Sequence, residues 1–399
     1  MYIPPDFFYL ELHMKKTLII SIIIFILILF FAPVFEPEYQ RPLQVFTSMK
    51  ESVGFNQINT EISSEKAILL HKDTGLVLYS KNADEKSGMA STTKIMTAII
   101  ILENMNLDEK IIITKESVGI EGSSLYLAEG EVFTVESLLY GLLLQSGNDV
   151  ACALAVAHSG SIDKFSEEMN AKAKKIGMTN TNFSNPHGLS DEYHYSTARD
   201  MGILSIYAMN NEIFKEIVST KKYTVKPLNN DNIRYCVNHN KLLFNSDFIT
   251  GIKTGYTKKD GRCLVTSATK EGIELICVTL NGQNHWNDHQ IMLNSGFDNF
   301  EKRILATKGE YASEISVVGG KEKKVLASNI SDIELFLPKS SDITMKIISA
   351  PFVYAPIKEG DVLGELRIYI EDKIIYSFPL CATERIEIKK ISLFKKIFG

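Results

Sequence analysis

The chain has 399 residues, 45% of them apolar and 23% charged, and a formal net charge of −5. That length accommodates two domains with sizeable cores, and the mild acidity, with no basic stripe in the interior, excludes a nucleic-acid footprint. Five scattered cysteines form no C-x-x-C and eight histidines no H-E-x-x-H, so nothing supports a metal centre and the cysteines read as small buried hydrophobes.

Met14-Lys15-Lys16 precedes an almost unbroken apolar run from Leu18 to Phe35. A basic n-region before an apolar h-region marks export, and the run is long enough to span a bilayer. Residues 1–45 therefore read as a cleaved signal peptide or a retained membrane segment, with Met14 the expected start. In both cases the bulk of the protein belongs on the outer face of the membrane.

After a polar linker, Ala67–His71 and Leu76–Ser80 flank Lys72-Asp-Thr-Gly75 and predict a β-hairpin. Ile95, Met96, Ile99, Ile100 and Leu102 recur at helical spacing, which places a helix start at Ser91. Thr134 is the expected N-cap of a second helix, broken at Ser146-Gly147-Asn148 before another from Val150 to His158. Asn185-Pro-His-Gly188 is a turn cluster and Thr197-Ala-Arg-Asp200 leads into a further helix. Thr250–Thr254, Cys263–Ala268 and Ile273–Leu280 predict antiparallel strands, with Glu271-Gly272 as a tight turn, followed by a helix around Asn287–Phe300. Two early strands, a helical middle and three late strands imply one α/β layered domain whose sheet joins both ends of its chain segment. Beyond Thr307, short alternating strands (Glu314–Val318, Ile333–Phe336, Thr344–Ile348, Gly364–Ile370 and Lys373–Pro379) predict a small all-β domain. The C-terminus is amphipathic, with Ile391, Leu393, Phe394, Ile397 and Phe398 interleaved with Lys389, Lys390, Lys395 and Lys396. A helix of that kind suits a membrane interface.

Three polar motifs carry the chemistry. A Ser-x-x-Lys spacing begins at Ser63, Ser91, Ser161, Ser219, Ser267 and Ser392. Only Ser91 and Lys94 open an apolar-periodic helix, where a three-residue spacing sets both side chains on one face. Ser161 reads instead as a helix cap, and Ser267 and Lys270 point to opposite faces of a strand. A serine nucleophile needs an adjacent base. Lysine serves only if burial or a second cation lowers its pKa, and Lys253 could supply that cation. Ser146 and Asn148 bracket Gly147, which permits a sharp turn. Lys253-Thr254-Gly255 offers an ammonium and a hydroxyl to a carboxylate, and Gly255 would let a substrate backbone lie against the strand.

The set Ser91-Thr-Thr-Lys94, Ser146-Gly-Asn148 and Lys253-Thr-Gly255 resembles the signature of penicillin-binding proteins and β-lactamases. The chain is similar to the D-alanyl-D-alanine carboxypeptidases, the low-molecular-mass penicillin-binding proteins of bacterial cell walls. The likeness extends through Met89–Lys94, Leu144–Asp149, Asn185–Leu189, Ser196–Asp200, Gly251–Thr257, the trailing β-region and the tail. It implies a transpeptidase-like α/β domain over 58–303 (antiparallel sheet with a helical cluster), a β-rich domain over 307–383 and a membrane-associating tail over 384–399. By the same resemblance, Ser91 attacks a stem peptide ending in D-Ala-D-Ala and Lys94 is its base. Ser146 relays a proton, Asn148 orients the acyl chain, and Lys253 and Thr254 hold the terminal carboxylate. The backbone N–H groups of Ser91 and Tyr256 receive the oxyanion. β-Lactams acylate the same serine, and no cofactor is required. One rival is a class A-like β-lactamase, which would need a Glu-positioned water, yet no Glu-x-x-Leu-Asn lies between Asn148 and Lys253. A second is a non-enzymatic membrane penicillin sensor, which would need a cytoplasmic signalling region.

Overall fold

The structure is a computed structural model and describes residues 61–370 and 372–389. The apolar run Leu18–Phe35 and the tail residues Ile391–Phe398 lie outside the described residues. Among the described residues no helix is long and apolar enough to cross a membrane.

In chain order the first region comprises β1 (Lys66–His71), β2 (Val77–Lys81), α1 (Lys94–Asn104), β3 (Lys110–Ile112), β4 (Val132–Thr134), α2 (Val135–Leu143) and α3 (Asn148–Ser159). It continues with α4 (Ile162–Ile176), α5 (Ala198–Ala208), α6 (Glu212–Ser219), β5 (Lys222–Val225), β6 (Arg234–Val237) and α7 (Leu242–Asn245), and closes with β7 (Ile249–Thr257), β8 (Gly261–Lys270), β9 (Ile273–Gly282) and α8 (His285–Asn299). Strands β2-β1-β9-β8-β7 form one antiparallel sheet, so the early hairpin docks on the last strand to be made, and β7 is left at an edge.

The central strands read as continuous apolar runs because both faces are covered. Ile68, Leu70, Val265, Ile276 and Val278 point into the helical cluster. Their neighbours Leu69, Leu264, Leu275 and Cys277 point the other way, against Met292, Leu293 and Phe297 of α8. This is the period-two alternation of a strand, with both phases buried. Glu271 and Gly272 both have positive φ (52° and 74°), the turn type that follows the twist of a hairpin. Thr134 and Thr197 cap α2 and α5, accepting from the backbone N–H of Ser137 and Asp200.

Among the described residues after α8 the elements are all strands: β10 (Phe300–Ala306), β11 (Ala312–Val318), β12 (Lys324–Ser328), β13 (Ile333–Pro338), β14 (Ile343–Ser349), β15 (Phe352–Tyr354), β16 (Val362–Ile370) and β17 (Lys373–Ala382). Six of these form a sheet in the order β14-β16-β17-β12-β11-β15, and β10 pairs with β13. Strand β10 runs across the interval that the sequence leaves between its two expected domains. Its pairing with β13 attaches it to the β-rich region. The α8 side of the main sheet and this region share one apolar cluster, in which His71 stacks on Phe336 with ring centroids 4.0 Å apart.

Candidate active site

Ser91 does not open α1, as its periodicity suggested. It sits in a 3₁₀ turn, Ala90–Thr93, that feeds directly into the helix at Lys94. The turn is tight because two threonines close it: Thr92 Oγ1 donates to Met89 O (2.6 Å) and Thr93 Oγ1 to Ala90 O (2.7 Å). Ala90 itself has φ +45°, a left-handed conformation costly for a residue with a Cβ. His194 braces the turn from outside. Its Nδ1 accepts from Ser184 N–H (3.1 Å), so Nε2 carries the proton and donates to Thr93 Oγ1 (2.8 Å). Burial lowers the His194 pKa to about 4 and keeps the ring neutral.

Lys94 is wholly buried. Its Nζ lies 3.0 Å from Ser91 Oγ, 2.7 Å from Asn148 Oδ1 and 2.5 Å from the carbonyl of His187. Burial lowers its pKa well below the ordinary lysine value, and the positive charge of Lys253 lowers it further. A neutral amine beside a serine hydroxyl is a competent general base.

Asn148, the first residue of α3, is held at both ends of its amide: Oδ1 takes the Lys94 bond, and Nδ2 donates to Glu121 O (2.5 Å). Asp149 then gathers the preceding segment, accepting from Leu125 N and Leu127 N (both 3.0 Å) and from Ser124 Oγ (2.7 Å). Ser146 is buried at the α2–α3 junction, and it takes the left-handed conformation there, with φ 63°. Gly147, expected to supply that turn, has an ordinary φ of −59°. Its value is spatial, since a Cβ there would lie 2.7 Å from Val150 Cγ2 and 2.8 Å from Asp149 Oδ1.

The Asn185–Leu189 loop delivers the His187 carbonyl. Asn185 closes it, accepting from Gly188 N (2.7 Å) and donating to Leu189 O (3.0 Å), and Thr97 of α1 ties it down through Pro186 O (2.6 Å). The sequence marks this segment only as a turn cluster and as part of a family likeness. Asn185 is a signal available there, because Asn in a turn closes its own backbone.

Edge strand β7 brings Lys253, Thr254, Gly255 and Tyr256 to the same place. Lys253 is 1% exposed; its Nζ donates to Thr254 O (3.1 Å), and burial lowers its pKa to about 7. Thr254 is half-buried and Tyr256 exposed, its ring beside the Arg262 guanidinium at 5.5 Å. Gly255 also meets the turn that carries Ser91. A Cβ at this position would lie 2.9 Å from Ser91 N and 3.1 Å from Thr92 N. The missing side chain lets the Ala90–Thr93 turn approach the strand closely.

The other Ser-x-x-Lys pairs have separate duties. Ser161 caps α4, accepting from Lys164 N (3.3 Å), Ser63 Oγ donates to Asp288 (2.9 Å), and Ser267 is buried while Lys270 is exposed. Ser219 ends α6, and Ser392 lies outside the described residues.

Residues 52–284 match the family model described as D-alanyl-D-alanine carboxypeptidase, and residues 300–388 match that of the penicillin-binding protein 5 C-terminal domain. The chain is similar to the D-alanyl-D-alanine carboxypeptidase DacF of Bacillus subtilis, at 30% identity over 96% of this chain and 98% of the relative. It also resembles DacA of Escherichia coli, at 32% over 84% and 86%. Among solved structures, penicillin-binding protein 5 of Haemophilus influenzae superposes with a TM-score of 0.72 at 28% identity, over 82% of this chain and 98% of that one. The Streptomyces K15 DD-transpeptidase superposes with a TM-score of 0.58 at 34% identity, over 60% and 98%. A half-buried serine on a buried lysine beside an edge strand, a trailing β-region and matches that run through both place this chain in the family of serine-type D-alanyl-D-alanine carboxypeptidases, the low-molecular-mass penicillin-binding proteins.

Proposed function

We propose that Ser91 is the nucleophile in release of the terminal D-alanine from peptidoglycan stem peptides. The observation that carries this reading is the buried, pKa-lowered Lys94 amine 3.0 Å from Ser91 Oγ. Lys94 takes the hydroxyl proton as Oγ attacks the penultimate carbonyl. The oxyanion is received by the N–H groups of Ser91 and Tyr256, the first of which Gly255 leaves accessible. The tetrahedral adduct expels D-alanine once its amine is protonated, a step assigned to Ser146. Asn148 fixes the Lys94 amine through Oδ1 and borders the acyl chain. Lys253 and Thr254 hold the substrate carboxylate. Water then hydrolyses the ester. A β-lactam enters by the same attack, and its opened ring remains on Ser91.

The assignment of chemistry to the 58–303 region and of a supporting role to the β-rich 307–383 region belongs to the same reading. So do export through the N-terminal apolar run and attachment to the membrane surface through the 384–399 tail. Neither a β-lactamase nor a penicillin sensor is favoured by the matches to carboxypeptidases along the chain.

Ser91→Ala tests the nucleophile: D-alanine release and covalent labelling by a fluorescent penicillin should both vanish, and labelling that persists would move the nucleophile elsewhere. For the tail, deleting residues 391–399 should free a signal-processed protein from membranes while penicillin acylation continues. A truncated protein with a processed N-terminus that still sediments with membranes refutes that anchor.

A further inference from the structure

We propose that Asp260 is a positioning residue that locks the nucleophile turn to the strand carrying the other half of the oxyanion site. The inference rests on Ser91 being the nucleophile. Asp260 lies in the β7–β8 turn, between Lys259 and Gly261, where a carboxylate would ordinarily face water. Instead it is 7% exposed. Its Oδ2 accepts the backbone N–H of Ala90 (3.2 Å), the residue immediately before Ser91. Ala90 is also the residue in the left-handed conformation, at φ +45°. Such a conformation persists only where the surroundings hold it, and Asp260 supplies a fixed acceptor for its amide.

The neighbouring chain is shaped to admit this carboxylate. A Cβ on Gly88 would fall 2.2 Å from both Cγ and Oδ1 of Asp260, so only glycine leaves the side chain room. The turn end of the latch is itself fixed. Asp260 N–H donates to Thr257 Oγ1 (2.9 Å), and that hydroxyl is hydrogen-bonded to Ser190 Oγ (2.8 Å) on the segment following the Asn185–Leu189 loop. A buried carboxylate is expensive unless hydrogen bonds compensate it, and here the backbone N–H of Ala90 does so. The task of Asp260 is to set the spacing between two oxyanion donors on different elements, Ser91 N–H on the 3₁₀ turn and Tyr256 N–H on β7. Gly255 allows the two elements to touch, and Asp260 fixes where they touch.

The test separates binding from acylation by stopped-flow with a fluorescent penicillin, on the full chain, with the label mapped to its residue by mass spectrometry. Asp260→Ala should lower the acylation rate constant by about tenfold or more, as sub-ångström misplacement of a reacting group does, while the non-covalent dissociation constant moves by less than about threefold. Asp260→Asn keeps an acceptor oxygen in place and should recover most of the rate. Ala90→Gly in the Asp260→Ala background should recover part of it, because glycine occupies φ +45° without strain. Should the alanine variant not fold, Asp260→Ser and Asp260→Asn make the same comparison. Wild-type acylation in Asp260→Ala or Asp260→Ser, or equal loss in the asparagine variant, overturns the latch. Label found away from Ser91 in the wild-type chain would overturn the nucleophile assignment instead, so the two failures are distinguishable.

Discussion

Replacing Lys253 by methionine should make the protein more stable and less active, by amounts that depend on pH. The amine is fully buried and burial lowers its pKa from 10.5 to about 7. The folded chain therefore binds fewer protons at this site than the unfolded chain between those two values, so stability falls as pH drops from about 10.5 to about 7 and is level below that. At about 1.4 kcal/mol per pKa unit, the burial penalty is about 3 kcal/mol near pH ~8 and approaches about 5 kcal/mol below pH ~6. Methionine fills the same volume without a charge. It forfeits one hydrogen bond to Thr254 O, worth roughly 1 kcal/mol. The expected net gain is about 2 kcal/mol near pH ~8, larger near pH ~6, and reversed in sign above pH ~10.5, where lysine is mostly neutral in both states. Urea titrations followed by the fluorescence of Trp286, the single tryptophan, at three pH values give the comparison. In the same variant acylation should collapse, because the carboxylate loses its cation. The acid limb of any residual rate should also move upward, since Lys253 helps to hold the Lys94 pKa down. A stability difference that does not vary with pH would refute the burial argument.

Lys94→Arg should nearly abolish acylation, since a guanidinium stays protonated and cannot act as base; ordinary acylation rates with β-lactam would remove Lys94 from that role. Gly255→Ala places a Cβ 2.9 Å from Ser91 N and should cut acylation about a hundredfold by displacing or covering one oxyanion donor, measured against an unchanged far-UV spectrum; a rate within about threefold of wild type would refute the close-approach account. Glu131→Gln removes a buried carboxylate that Arg234 grips through Nη1 and Nη2 at 2.8 and 2.7 Å and should cost about 3 kcal/mol. Burial raises the Glu131 pKa, but the bonds from Arg234, Ala128 and Asn232 outweigh it and the net shift is downward. The contribution is therefore present above the ordinary glutamate pKa and lost as pH falls through the lower folded value; denaturation midpoints that coincide for the two proteins at neutral pH would refute it.

What the sequence discloses depends on how local the determining physics is. The five-stranded sheet was legible because β1, β8 and β9 are dense apolar runs and Glu271-Gly272 has the chemistry of its turn. Helix α2 was legible from its threonine cap. Strand β10 was not, because Phe300–Ala306 follows α8 with no intervening turn residues and pairs with β13 some thirty residues on. Strands β12 and β15 were also missed, being short and placed by their neighbours in the sheet.

The site divides along the same line. Ser91 and Lys94 are three residues apart, and the turn of chain between them alone brings hydroxyl and amine together, so that pair could be read directly. Asn148 and Lys253 were recognisable only as members of an ordered set of motifs, because nothing local to either says that it faces Lys94. Asp260 gave no signal: an aspartate before a glycine in a hairpin is an ordinary turn residue. Its carboxylate meets Ala90 across 170 positions of sequence. The chemistry of this site is thus written in short motifs, while its geometry is held by buried polar residues in turns whose partners only the fold supplies. On the reading proposed above, a survey that substitutes the motif serines and lysines alone would find the groups that react and miss those that set their spacing.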